Sequence, residues 1–117
     1  MAETFDPLDE SFSTADAGAP ILAYEQEILH DRFRDWRERE VILTFCDVSA
    51  FSWDDGDAAS SDAHRDDSAY IVVGSEWLRR HIDVGTIAAS GGHRHYKLCF
   101  NAVGVLQVIA SGLFVSD

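Results

Sequence analysis

His93 and His95 form an H-x-H pair. On an extended backbone their alpha-carbons stand about 7 Å apart and both imidazoles point to one side. Such a pair can hold Zn²⁺ or another divalent metal when a carboxylate or a third imidazole joins it. Asp47, His30, His64 and His81 are the candidates, and no spacing directs any of them to the pair. A small metal-binding protein or metal-dependent enzyme built on His93 and His95 is therefore one functional reading. The plainer reading is a polar strand face shared with Lys97, Cys99 and Gln107. Cys99 and His95 are four residues apart, which on a strand separates their alpha-carbons by roughly 13 Å, too far for a direct thiol–imidazole hydrogen bond. No phosphate-cradling glycine loop, G-x-S-x-G elbow or H-E-x-x-H helix is present. The sequence assigns no catalytic residue and no cofactor beyond that metal, so catalysis is left open with absence expected.

A second group of chemical interest is the run of aspartates Asp54, Asp55, Asp57, Asp62, Asp66 and Asp67. Their carboxylates are hard ligands suited to calcium, but the EF-hand spacing and its closing glutamate are missing. A solvated loop is the default expectation. Its functional alternative is a binding segment for a basic protein partner. Together with Glu3, Asp6, Asp9, Glu10 and Asp16 near the start, these residues hold most of the net charge of −12; the rest of the chain has ten acids and eight bases. Acidic flexible segments steer basic partners at long range. Clustered Lys and Arg are lacking, which argues against nucleic acid.

At 117 residues and 46 % hydrophobic, the chain suits one domain able to bury roughly two-thirds of its unfolded surface. Residues 1–18 read as a disordered acidic leader, with Phe5, Leu8 and Phe12 able to dock on a partner or on the domain itself; residues 19–117 read as the domain, with a mobile acidic loop at 54–67. Cys46 and Cys99 lie in apolar runs and read as buried thiols of a reducing compartment. No secretory leader or membrane-length apolar run is visible. The expectation is a cytoplasmic protein without a membrane partner; homo-oligomerisation is left open.

Leu22, Leu29, Phe33 and Trp36 follow helical spacing after Pro20, which predicts a helix over residues 20–39, with Arg34 and Glu38 paired on its surface. A strand starting at Ile28 competes with it, and residues 28–40 stay open between the two. Val41 to Trp53 reads as one long strand, bulged near Asp47 or carrying that acid on its apolar face. Ala69 to Val73 reads as a strand, and Ser75 to Ile82 as a short capped helix or an edge strand. His93 to Ser111 reads as a hairpin turning at Asn101-Ala-Val-Gly104, with Gly104 at φ > 0. That register sets Phe100 against Leu106, Leu98 against Val108 and Tyr96 against Ala110, all on one face. The fold class expected is α+β, a twisted antiparallel sheet with a C-terminal β-hairpin and one N-terminal helix packed on it.

Two stretches, Val41-Ile-Leu-Thr-Phe-Cys-Asp-Val48 and His95-Tyr-Lys-Leu-Cys-Phe-Asn-Ala-Val-Gly-Val-Leu-Gln-Val-Ile-Ala110, resemble small uncharacterised bacterial proteins, some grouped with the immunity proteins of polymorphic toxin systems. The resemblance covers about the second half of the chain and rests on core patterning. It implies an antiparallel sheet, a late strand of the L-x-V-I-A kind and no catalytic signature, and it transfers no active-site residue. It also implies a role: a non-enzymatic protein-binding module, an immunity-type antagonist of a basic toxin.

Overall fold

A computed structural model describes residues 3–8, 12–55, 67–88, 91–101 and 103–116. Among the described residues nine strands and one helix follow in the order β1 (Thr4–Pro7), β2 (Ile21–Glu25), β3 (Ile28–Arg34), β4 (Glu40–Cys46), β5 (Ala50–Asp55), β6 (Ala69–Val73), α1 (Glu76–Asp83), β7 (Arg94–Phe100), β8 (Gly104–Ala110) and β9 (Gly112–Ser116). A five-stranded sheet has the order β1-β6-β7-β8-β5 and a four-stranded sheet the order β2-β3-β4-β9. Every pairing is antiparallel. The class is α+β, and the hairpin of β7 and β8 is present.

The predicted N-terminal helix is replaced by a hairpin of β2 and β3, whose register runs from Ile21 opposite Arg32 to Glu25 opposite Ile28. Along β3 the side chains alternate: Leu29, Asp31 and Phe33 are buried, while Ile28, His30, Arg32 and Arg34 are exposed. An aspartate at the central inward position hides this period of two, so the remaining apolar residues match helical spacing equally well. Gln26 and Glu27 make the turn at φ 51° and 65°, values a two-residue hairpin turn needs and which normally call for Asn or Gly. Arg34 and Glu38 do meet, but in the β3–β4 loop, where the guanidinium donates to the Glu38 backbone carbonyl at 3.1 Å. Asp35 organises that loop by accepting from the backbone N–H of Arg37 and Arg39, each at 2.9 Å. Burial alone would raise its carboxyl, but these bonds and the Arg39 charge outweigh that and hold it below the usual range.

Val41 to Trp53 is two strands in different sheets. At Asp47, with φ 53°, the chain leaves one sheet for the other. The second crossing, from β8 to β9, lies beside it. Ser111 donates its hydroxyl to Asp47 Oδ2 at 2.6 Å and its backbone N–H to the Cys46 carbonyl at 2.9 Å. Val41, Leu43 and Phe45 face inward from one sheet and Trp53 from the other, which is why their common parity imitated one strand. Between the sheets Phe33 meets Phe100 at 5.1 Å and Phe45 meets Tyr96 at 5.4 Å, both edge-on.

In the β7–β8 hairpin all six apolar residues fall on the buried face as expected. Their partners differ by two residues: Phe100 is opposite Gly104, Leu98 opposite Leu106, and Tyr96 opposite Val108. The loop is the three residues 101–103, closed by the Val103 N–H on the Phe100 carbonyl at 2.9 Å. Gly104 therefore lies in the ladder instead of at φ > 0. A Cβ there would overlap the Trp53 ring and the Asp54 carbonyl oxygen, so the neighbouring strand β5 is what requires glycine.

Residues 4–7, expected in a disordered leader, form the edge strand β1 on β6. Phe5 stacks edge-on to Tyr70 at 6.1 Å, Phe12 reaches Phe33 at 6.4 Å, and Leu8 joins the core margin, which is the docking on the domain itself that the sequence offered as an alternative. The acidic loop lies mostly outside the described residues. Helix α1 settles the segment Ser75 to Ile82, left open between a short capped helix and an edge strand, in favour of the helix. Its cap is Ser75, whose Oγ accepts the Leu78 N–H at 3.0 Å. Among the described residues no helix is long and apolar enough to cross a membrane.

Candidate functional site

The fold separates the two predicted metal ligands. Strand β7 begins at Arg94, so His93 precedes the ladder, and its Nε2–H donates to the Asp47 backbone carbonyl at 2.9 Å. His95 is buried between β7 and α1 with both nitrogens engaged: Nε2–H donates to Gln107 Oε1 at 2.8 Å, and Nδ1 accepts the Ser75 hydroxyl at 2.7 Å. Trp77 of α1 closes over the imidazole edge-on at 5.1 Å. Burial holds the His95 imidazole below its ordinary value, against the opposing pull of the Gln107 bond and the Glu3 carboxylate; Lys97 adds to the lowering. Of the candidate third ligands, Asp47 meets His93 only through its backbone carbonyl while its carboxylate takes the Ser111 hydroxyl, and the histidines go elsewhere. His30 meets Thr44 at 3.5 Å, His81 meets Ser49 at 3.3 Å, and His64 lies outside the described residues. Among the described residues no three His, Cys, Asp or Glu side chains gather as a metal-binding group.

Hydroxyl, imidazole and side-chain carbonyl in line have the order of a nucleophile, a base and its orienting group. Two features set this line apart from a working triad. Ser75 is only 6 % exposed and its oxygen caps α1, so it does not face a substrate. Gln107, in the orienting position, is neutral and itself supplies no counter-charge to an imidazolium. What the line does is fasten α1 to the sheet. Sequence reasoning missed it because Ser75, 20 residues from His95, reaches it only through the fold.

The acidic residues have a clearer arrangement. The edge strands β2 and β5 of the two sheets run along one side of the molecule, where Tyr24 and Phe51 touch at 5.3 Å. Both rings are partly in solvent, Tyr24 at 48 % and Phe51 at 37 % exposure. Glu25, Glu27, Asp47, Asp54 and Asp55 are exposed on the same strands and their turns. Residues 1–31 and 40–64 contain no Lys or Arg, so β2, β5 and these turns offer no basic side chain of their own. A cleft of about 520 Å³ opens at one end, lined by Tyr24, Glu27, Asp47 and His93 among others. Of the six predicted partner-binding aspartates, Asp54 and Asp55 therefore stand on this side, with Asp55 accepting the Trp53 indole N–H. Asp67 takes the Ser68 hydroxyl at 3.3 Å, before β6. Asp57, Asp62 and Asp66 lie outside the described residues.

One polar group has no counterpart in the sequence reading. Asp31 is 0 % exposed, and among the described residues neither of its carboxyl oxygens has a hydrogen-bond partner. It stands across from Leu22 on β2 and Leu43 on β4, and burial pushes its carboxyl up to about 7. The signal was an acid at the middle of an alternating apolar run, visible once β3 is read as a strand. Compared with protein-family models, with curated proteins and with solved structures, the chain gives no match.

Proposed function

We propose that the protein is a non-enzymatic protein-binding module that captures a basic protein, in the role of an immunity-type antagonist of a basic toxin. The observation that carries this reading is the β2–β5 side: two exposed rings in contact, Tyr24 and Phe51, with five exposed acids and no Lys or Arg on the same strands and their turns. Aromatic residues are enriched at the anchoring centres of interfaces, and carboxylates around them select a positively charged partner and speed its approach. The resemblance of the second half of the chain to immunity-type proteins supports the same role.

The test is stopped-flow association with a basic protein that the chain is found to capture. The triple variant Glu25→Gln, Asp54→Asn, Asp55→Asn should associate about tenfold more slowly at low salt, and added salt should erase the difference. Dissociation should change less, because charges at the rim act mainly on approach. An association rate indifferent both to the substitutions and to salt would contradict this reading.

A further inference from the structure

We propose that Asp31 makes the β2–β3 hairpin a proton-gated flap: protonated, it lets the hairpin lie closed on the opposite sheet, and on losing its proton it draws water in by releasing β2. A carboxylate without a hydrogen-bond partner is among the costliest groups to keep out of water, so the ionised form favours whichever opening hydrates it with the least loss of packing.

The surroundings single out β2 as the part that yields. On one side Asp31 faces Leu43 of β4, which is 0 % exposed at the centre of the core. On the other it faces Leu22, the one residue of β2 that is half-buried; the other four are exposed. Strand β2 is an edge strand paired only with β3. Its turn residues Gln26 and Glu27 hold positive φ without being glycine, so opening also relieves local strain. Lifting β2 therefore uncovers the carboxyl while the core between β4 and the opposite sheet stays in place.

The charge environment leaves Asp31 as the group that triggers the change. On the inward faces the titratable or charged side chains are Tyr24 of β2, Arg94 and Tyr96 of β7, Asp55 of β5 and Asp6 of β1, while β4, β6, β8 and β9 present none. Burial is the one cause that moves the Asp31 carboxyl, with no contribution from these charges. With that carboxyl at about 7, the gate would act near neutrality.

The experiment is amide hydrogen exchange read as protection factors at about pH 5.5 and about pH 8. Protection of residues 21–25 should fall about 30-fold over this interval, as the tenfold-per-unit linkage between pH 5.5 and 7 requires, while β7 and β8 keep theirs. Asp31→Asn, which cannot ionise, should hold the protection of β2 constant. Equal protection of β2 at both pH values in the native protein, or the same loss in Asp31→Asn, would overturn the proposal. A carboxyl titration of Asp31 by ¹³C NMR in the native protein needs no variant. A midpoint near 7 that coincides with the loss of β2 protection supports the gate, and a midpoint below about 5 refutes it.

Discussion

Replacing Asp31 by Asn should stabilise the protein by about 4 kcal/mol at about pH 8 and by almost nothing at about pH 4. In the unfolded chain the carboxyl loses its proton around 3.8; in the folded protein it keeps it until about 7. Between those values the folded state binds more protons, so raising the pH removes stability, and the loss is complete above 7. The group therefore favours the fold at low pH and opposes it at high pH, the reverse of a salt-bridged carboxylate. His95 and Asp35, both held below their ordinary values, act with the opposite sign, since each costs stability as the pH falls. They are present in both proteins, so the difference between the two denaturation curves isolates Asp31. A difference that stays constant from about pH 4 to about pH 8 would mean that the carboxyl is hydrated or paired. A loss of about 4 kcal/mol is a large share of the 5–15 kcal/mol typical of a domain, which gives the buried acid a measurable cost.

Phe100→Ala should cost about 3–5 kcal/mol, read from chemical denaturation at neutral pH. Phe100 is 0 % exposed and touches rings from both sheets, Phe33 at 5.1 Å and Trp53 at 6.0 Å. Truncation removes its own burial and leaves a cavity that two sheets tied by their crossings cannot easily close. The native-state emission of Trp53 should change as well, because it loses a ring neighbour. The control is Val84→Ala, at a position 75 % exposed, which should stay within about 0.5 kcal/mol. A cost below about 1 kcal/mol at Phe100 would show that the sheets do not pack through it.

How far the sequence discloses this fold depends on which contacts decide each element. The β7–β8 hairpin was legible as a buried face because Tyr96, Leu98, Phe100, Leu106, Val108 and Ala110 alternate cleanly. Its register was not, since a shift of two residues leaves every side chain on the same face. The deciding contact is Trp53 over Gly104, and nothing local announces that β5 lies alongside. Strand β3 was legible as the alternative that starts at Ile28, but its hairpin with β2 was hidden for two local reasons, an acid in the core position of β3 and a turn made by Gln and Glu. Helix α1 was legible as one of two alternatives, the capped helix, and the Ser75 cap is what the structure bears out. The acidity of the candidate site could be counted from the sequence, but Tyr24 and Phe51, 27 positions apart, become neighbours only when two edge strands from different sheets share one side. The histidine pair illustrates the converse, a local motif that the tertiary structure divides between a connecting segment and a strand.

The central claim is that the β2–β5 side receives a basic protein, and its most direct test is an amide-exchange footprint of the complex with a basic protein that the chain captures. New protection is predicted at residues 21–27 and 47–55, centred on Tyr24 and Phe51, with α1 and β7 unchanged. Protection confined to α1 and β7, with β2 and β5 exchanging as in the unbound protein, would contradict it.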